Sequence, residues 1–82
     1  MISFDGTTTF ITGAASGIGL ATAEIFHQHG ARLMLTDLDE ARLGAAASRL
    51  DPTGERVAYR SMDVGSSEAC AETMEATGRR FG

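Results

Sequence analysis

The stretch Thr12-Gly13-Ala14-Ala15-Ser16-Gly17-Ile18-Gly19 constrains this chain more than any other. It follows Thr7-Thr8-Thr9-Phe10-Ile11, a β-branched and aromatic run that suits a strand. It precedes Leu20-Ala21-Thr22-Ala23-Glu24-Ile25-Phe26, which suits a helix. The N–H groups that open a helix have no intrahelical partner and lie at the positive end of its dipole, where a nucleotide phosphate is commonly held. Each glycine then has an expected task. Gly13 lets the chain leave the strand in a tight turn, Gly17 lets backbone approach a pyrophosphate, and Gly19 lets the helix lie close to the strand. The plain alternative is a turn that only needs flexible residues. The order strand, turn, helix is the context that favours the phosphate reading.

The rest of the chain repeats that alternation. Met1 to Gly6 is a lead-in, with Phe4 expected against the body and Asp5-Gly6 as a turn. The first strand is expected over Thr7 to Ile11 or Thr12, and a helix from about Ser16 to His29. Its inward stripe is expected to be Ile18, Ala21, Thr22 and Ile25, with Gly30 as the left-handed terminator. Ala31 to Thr36 is nearly all apolar after Arg32, as in a strand covered on both faces. Asp39 is the expected N-cap of a second helix buried through Leu43, Ala46, Ala47 and Leu50, and Asp51-Pro52-Thr53-Gly54 ends it. Arg56 to Met62, alternating and carrying two arginines, suits an edge strand. Ser66 or Ser67 caps a third helix with Cys70, Thr73, Met74, Thr77 and Phe81 on one face. Gly78 inside it costs roughly 1 kcal/mol relative to Ala, so its last turn is expected to fray.

Strand and helix alternating three times predict an α/β fold: βαβαβα around a three-stranded parallel sheet of order 3-2-1. Right-handed crossovers put the first two helices on one face and start the third across the other. The first strand is left with an open edge, so pairing with a second copy through it, with exchange of the third helix, is an expectation.

At 82 residues the chain is one domain, and its stability margin is thin. A net charge of −4 with scattered arginines argues against nucleic acid as a partner. Cys70 is the only cysteine, no basic-then-apolar leader opens the chain, and no apolar run reaches membrane length. A cytoplasmic protein with no membrane partner is the expectation. His27 and His29 are expected to face solvent at the end of the first helix. Two His at i and i+2 make a poor metal pair, and no metal site is expected. Cys70 is expected to be inert core, and Thr12 could bond a neighbouring strand as easily as a cofactor.

Thr-Gly-x-x-x-Gly-x-Gly resembles the cofactor loop of the short-chain dehydrogenases/reductases, and Asp37 after the second strand and Asp63-Val64 after the third match that family in order. The resemblance runs from about Thr7 to Gly82. It implies that residues 1–82 form the N-terminal, adenosine-binding half of a Rossmann fold, the catalytic half being absent. Gly13, Gly17 and Gly19 would hold the dinucleotide, with Ser16 and Ile18 at its ribose and pyrophosphate. Asp37 lies 18 positions after Gly19, where a carboxylate accepts both ribose hydroxyls and repels a 2′-phosphate. Ser16 is not basic and no arginine follows Asp37, so the resemblance implies NAD rather than NADP. Leu38 would wall the adenine, and Asp63 with the Val64 N–H would contact it. Each carboxylate also has a plain reading: Asp37 pre-capping the second helix, and Asp63 closing a turn.

The family's chemistry needs a Tyr, a Lys four positions later, a nearby Ser and an Asn-Ala-Gly loop. The only tyrosine here is Tyr59, in the third strand, and there is no lysine, so no catalytic residue is assigned. In a full-length parent the implied reaction is hydride transfer between NAD and an alcohol or carbonyl. The alternatives are a nucleotide-binding module without chemistry and a truncated remnant. A methyltransferase is a remoter rival, because its glycine loop is spaced differently.

Overall fold

The computed structural model describes residues 6–15 and 17–81. Phe4, Asp5 and Ser16 lie outside these residues. The elements are β1 (Thr8–Ile11), α1 (Gly17–Gln28), β2 (Arg32–Asp37), α2 (Glu40–Leu50), β3 (Val57–Ser61) and α3 (Ser67–Phe81). The strands form one parallel sheet, with β2 between β1 and β3. This is the expected α/β alternation in the order 3-2-1.

Register explains the layers. Thr9, Leu33 and Val57 lie side by side, as do Ile11, Leu35 and Tyr59. Side chains alternate along a strand, so these two rows share one face. On that face Ile11, Leu33, Leu35 and Val57 pack with Ala14, Ala15 and Ala23, and with Leu43 and Ala47 of α2. Met34 and Thr36 of β2 point to the opposite face, toward α3. Every residue from Leu33 to Thr36 is buried, so the central strand is covered on both sides.

The helices begin and end as local chemistry dictates. Asp39 caps α2, its Oδ1 accepting the Arg42 N–H at 3.1 Å. Ser66 Oγ accepts the Ala69 N–H at 3.1 Å and caps α3. α1 closes in a Schellman turn: Ala31 N donates to Phe26 O and Gly30 N to His27 O, with Gly30 at φ 96°. α3 runs through Gly78 to Phe81.

Three expectations are corrected. The buried side of α1 is not Ile18, Ala21, Thr22 and Ile25. Ala23 is its buried residue and Phe26 packs on the core, while Ile18, Ala21 and Ile25 are exposed. The helix is turned so that small residues meet the sheet; Ala23 and Gly19 permit a closer approach than isoleucine would. His27 is not solvent-facing. It is half-buried, its Nε2 lies 3.1 Å from Arg56 Nη2, and Arg56 Nη1 also donates to the carbonyls of His27 and Ala31. Cys70 is only partly buried, with its Sγ 3.7 Å from Val64 O, and lies outside the main core cluster.

Candidate functional site

The glycine loop leaves the C-terminal end of β1 and returns as α1. Gly13 and Gly17 sit at φ 62° and 59°, in the left-handed region that favours glycine. A Cβ at either would meet nothing within 4 Å, so backbone is open to a ligand at both positions. Gly19 is glycine for the opposite reason. A Cβ there would press on Gly13 O, and would lie 2.7 Å from the Gly13 carbonyl carbon and 3.1 Å from Thr12 O. The third glycine therefore closes the helix onto the first, and the loop is one folded unit. The helix-opening amides at Gly17, Ile18 and Gly19 have no carbonyl four residues back in the helix.

β2 straps this loop down. Ala14 N donates to Thr36 O at 3.0 Å, and the buried Thr36 Oγ1 donates to Ile11 O at 3.0 Å. Ala15 N donates to Asp37 Oδ2 at 3.1 Å, and the other carboxylate oxygen accepts Asp39 N at 3.2 Å. The Asp39 N–H, and after it the Ala15 N–H, hold the Asp37 carboxyl below its ordinary range, because both stabilise the anion. Asp37 thus has its pre-capping role, and it also ties the glycine loop to the end of β2, a link invisible in the spacing.

Gly13, Asp37, Leu38, Met62 and Val64 line one depression of about 160 Å³. Met62 forms its buried base, while Leu38 is 74% exposed, Val64 61% and Ile18 87%. These apolar side chains therefore stand in solvent beside the glycine loop. The structure thus brings Gly13, Asp37, Leu38 and Val64 together, with Gly17, Ile18 and Gly19 opening the adjoining helix. Asp63 is next door but does not line the depression; its Oδ1 closes a turn by accepting Gly65 N at 2.8 Å. Ser16 is outside the described residues. Met62 and the Thr36 strap were not read from the sequence, although apolar Met62 at the end of the third strand was a usable signal.

Tyr59 is elsewhere. Its ring rests over Gly44 of α2, where a Cβ would stand 3.1 Å from the hydroxyl oxygen. Among the described residues no three His, Cys, Asp or Glu converge on a metal position. No described helix is long and apolar enough to cross a membrane.

The comparison with known families decides the reading. The family described as short chain dehydrogenase matches residues 7–82. The chain belongs to the short-chain dehydrogenase family. A solved short-chain dehydrogenase/reductase from Brucella melitensis, described as a glucose/ribitol dehydrogenase, superposes with a TM-score of 0.94 at 42% identity. That match covers 99% of this chain and 34% of the other. A relative from Burkholderia phymatum, solved in complex with NAD, superposes at 0.91 with 35% identity, over 100% of this chain and 29% of the other. Among curated relatives, an A-factor type gamma-butyrolactone 1′-reductase from Streptomyces virginiae is 42% identical over 72 residues, covering 88% of this chain and 28% of the relative. Tropinone reductase-like 2 from Erythroxylum coca is 33% identical over 78 residues, covering 95% of this chain and 27% of the relative. This short-chain dehydrogenase chain therefore spans about a quarter to a third of the length of these relatives. It is a portion of an oxidoreductase-family fold, and one solved relative of that family holds NAD.

Proposed function

We propose that the chain binds the adenosine half of NAD, in preference to NADP, at the C-terminal end of its sheet. Gly13, Ser16, Gly17, Ile18 and Gly19 hold the diphosphate and the adjoining ribose, largely through backbone N–H groups. Asp37 accepts from the ribose hydroxyls, and Leu38, Val64 and Asp63 flank the adenine. The observation that carries this reading is the joining of the two halves of the site: the Asp37 carboxylate bonds the loop amide of Ala15 at 3.1 Å and also lines the apolar depression. A fixed anion at the ribose position repels a 2′-phosphate. The loop also fits the group, because its backbone is open where Gly13 and Gly17 lack side chains. The Burkholderia relative solved with NAD supports the same cofactor class.

In the parent enzyme the reaction is hydride transfer between NAD and an alcohol or carbonyl, and the nicotinamide ring supplies the hydride chemistry. These 82 residues contain no lysine, and their one tyrosine packs on α2, so they hold and orient cofactor without moving a proton. The chain by itself therefore turns over nothing. Calorimetric titration with NADH and NADPH tests the reading: tighter NADH binding is expected, and a preference for NADPH would overturn the assignment of Asp37. NADH formation from NAD and an alcohol panel, above a protein-free control, would overturn the claim of no turnover.

A further inference from the structure

The sheet has two edges, and they are unlike. β3 carries Arg60, paired with Glu72 of α3 at 3.5 Å, and a charge of this kind guards an edge against pairing with another chain. β1 carries no charge and no proline, and it runs in unbroken register beside β2. Arg32 N donates to Thr7 O at 2.9 Å, so alternation along the parallel ladder turns the main-chain groups of Thr9 and Ile11 toward β2 as well. The N–H and C=O groups of Thr8 and Phe10 therefore point away from β2, where no described strand meets them. The side chains of the same two residues line a depression of about 260 Å³, completed by Met74, Thr77 and Gly78 of α3. No charged residue lines it, and Met74 is 65% exposed.

We propose that this edge is a self-pairing surface, and that two copies of the chain join through antiparallel β1 strands centred on Thr9. The open groups are self-complementary. A two-fold axis at Thr9 sets Thr8 of one copy opposite Phe10 of the second, and Phe10 opposite Thr8. Both residues have their main-chain groups turned outward, so each opposed pair exchanges two N–H···O bonds. The opposed side chains stand on the same face, where each Phe10 covers the second copy's Thr8 and the apolar floor beside Met74. Neither the strand nor the depression holds a charged residue, so the net charge of −4 on each copy is kept off the seam. α3 stays with its own copy, where Thr73 and Phe81 are buried. The pairing is independent of the cofactor reading.

Sedimentation equilibrium over a rising series of protein concentrations tests the pairing. The apparent mass should climb from 8.6 kDa toward twice that value. Amide exchange at Thr8 and Phe10 should slow over the same series, while exchange at Tyr59, on the guarded edge, should not. Thr8→Pro deletes an outward donor at the first residue of β1, a position where the sheet tolerates proline, and should hold the mass at that of one copy. If circular dichroism shows Thr8→Pro unfolded, Thr8→Lys decides: the side chain is exposed, so the charge is felt at the seam, and this variant too should stay monomeric. An unmutated chain whose mass does not rise overturns the proposal. A monomer with slow exchange at Thr8 and Phe10 means that something else covers the edge, and overturns it as well. A dimer that persists in a folded variant puts the contact on another surface, with the same consequence.

Discussion

Replacing Gly19 by alanine should damage both the fold and nucleotide binding, although Gly→Ala is normally favourable in a helix. Gly19 lies within α1, where the exchange by itself gains about 1 kcal/mol. Against this, the new Cβ presses on Gly13 O and stands 2.7 Å from the Gly13 carbonyl carbon and 3.1 Å from Thr12 O. All three are backbone atoms, so no side chain can rotate away, and either the loop or the helix must move. Overpacking of this kind costs about 1–3 kcal/mol, and the clash here belongs at the upper end of that range. The net expectation is a loss of about 1–2 kcal/mol, or a fall in Tm of about 5–15 °C for a domain of this size. The displaced atoms belong to the loop, so affinity for adenosine 5′-diphosphate should fall with stability. Gly78→Ala is the matched control. It lies within α3 with nothing within 4 Å of the added Cβ, and should gain about 0.5–1 kcal/mol. Thermal melts of the three proteins, with a nucleotide titration of each, make the comparison. If Gly19→Ala is stabilised like Gly78→Ala and binds nucleotide normally, the close packing of helix on loop is wrong.

Other expectations follow from the same contacts. Thr36→Val keeps the shape of a fully buried side chain but deletes its bond to Ile11 O, and should cost about 1 kcal/mol in urea denaturation, with faster amide exchange at Ala14. Asp39→Ala removes the α2 cap and should cost about 1 kcal/mol by the same assay. Stability should also decline on the acid side in two ranges. Burial, and then the neighbouring Arg56 charge, hold the His27 pKa below 6.5, so the unfolded chain takes up this proton first and stability is lost as pH falls below about 6.5; His27→Gln should flatten that part of the profile. The Thr53 hydroxyl and the Arg56 N–H hold Asp51 at about 2, so its contribution is complete above 3.8 and disappears as pH falls through about 2; Asp51→Ala should differ from the parent at pH 5 but not below pH 2.

The alternation of elements was legible because each carries its own punctuation. Gly30 ends α1, Asp39 opens α2, Pro52 and Gly54 lie in the connection to β3, and the apolar run Leu33–Leu35 can only be a covered strand. Which side of α1 faces the sheet was not legible by the same logic. Hydrophobic periodicity favours Ile18 and Ile25, but what decides is how near the helix comes to β1 and the loop. Only glycine and alanine permit that distance, so the larger residues are turned out. His27 failed for a related reason: its partner, Arg56, is 29 positions away in sequence, and nothing in either local pattern reports that the start of β3 lies beside the end of α1. Within the site, the glycines, Asp37, Leu38 and Val64 could be placed from motif order, while the Thr36 strap and the Asp37–Ala15 bond depend on the register of β1 against β2. That pairing, Ile11 opposite Leu35, brings the end of β2 level with the turn.

The central claim is that backbone amides at the start of α1 grip a diphosphate. Amide resonances followed during titration with adenosine 5′-diphosphate, and separately with adenosine, test it most directly. The predicted result is that Gly13, Gly17, Ile18 and Gly19 shift strongly with the diphosphate and weakly with adenosine, while amides in α3 stay still. Equal shifts with both ligands, or shifts confined to residues away from the loop, would contradict it.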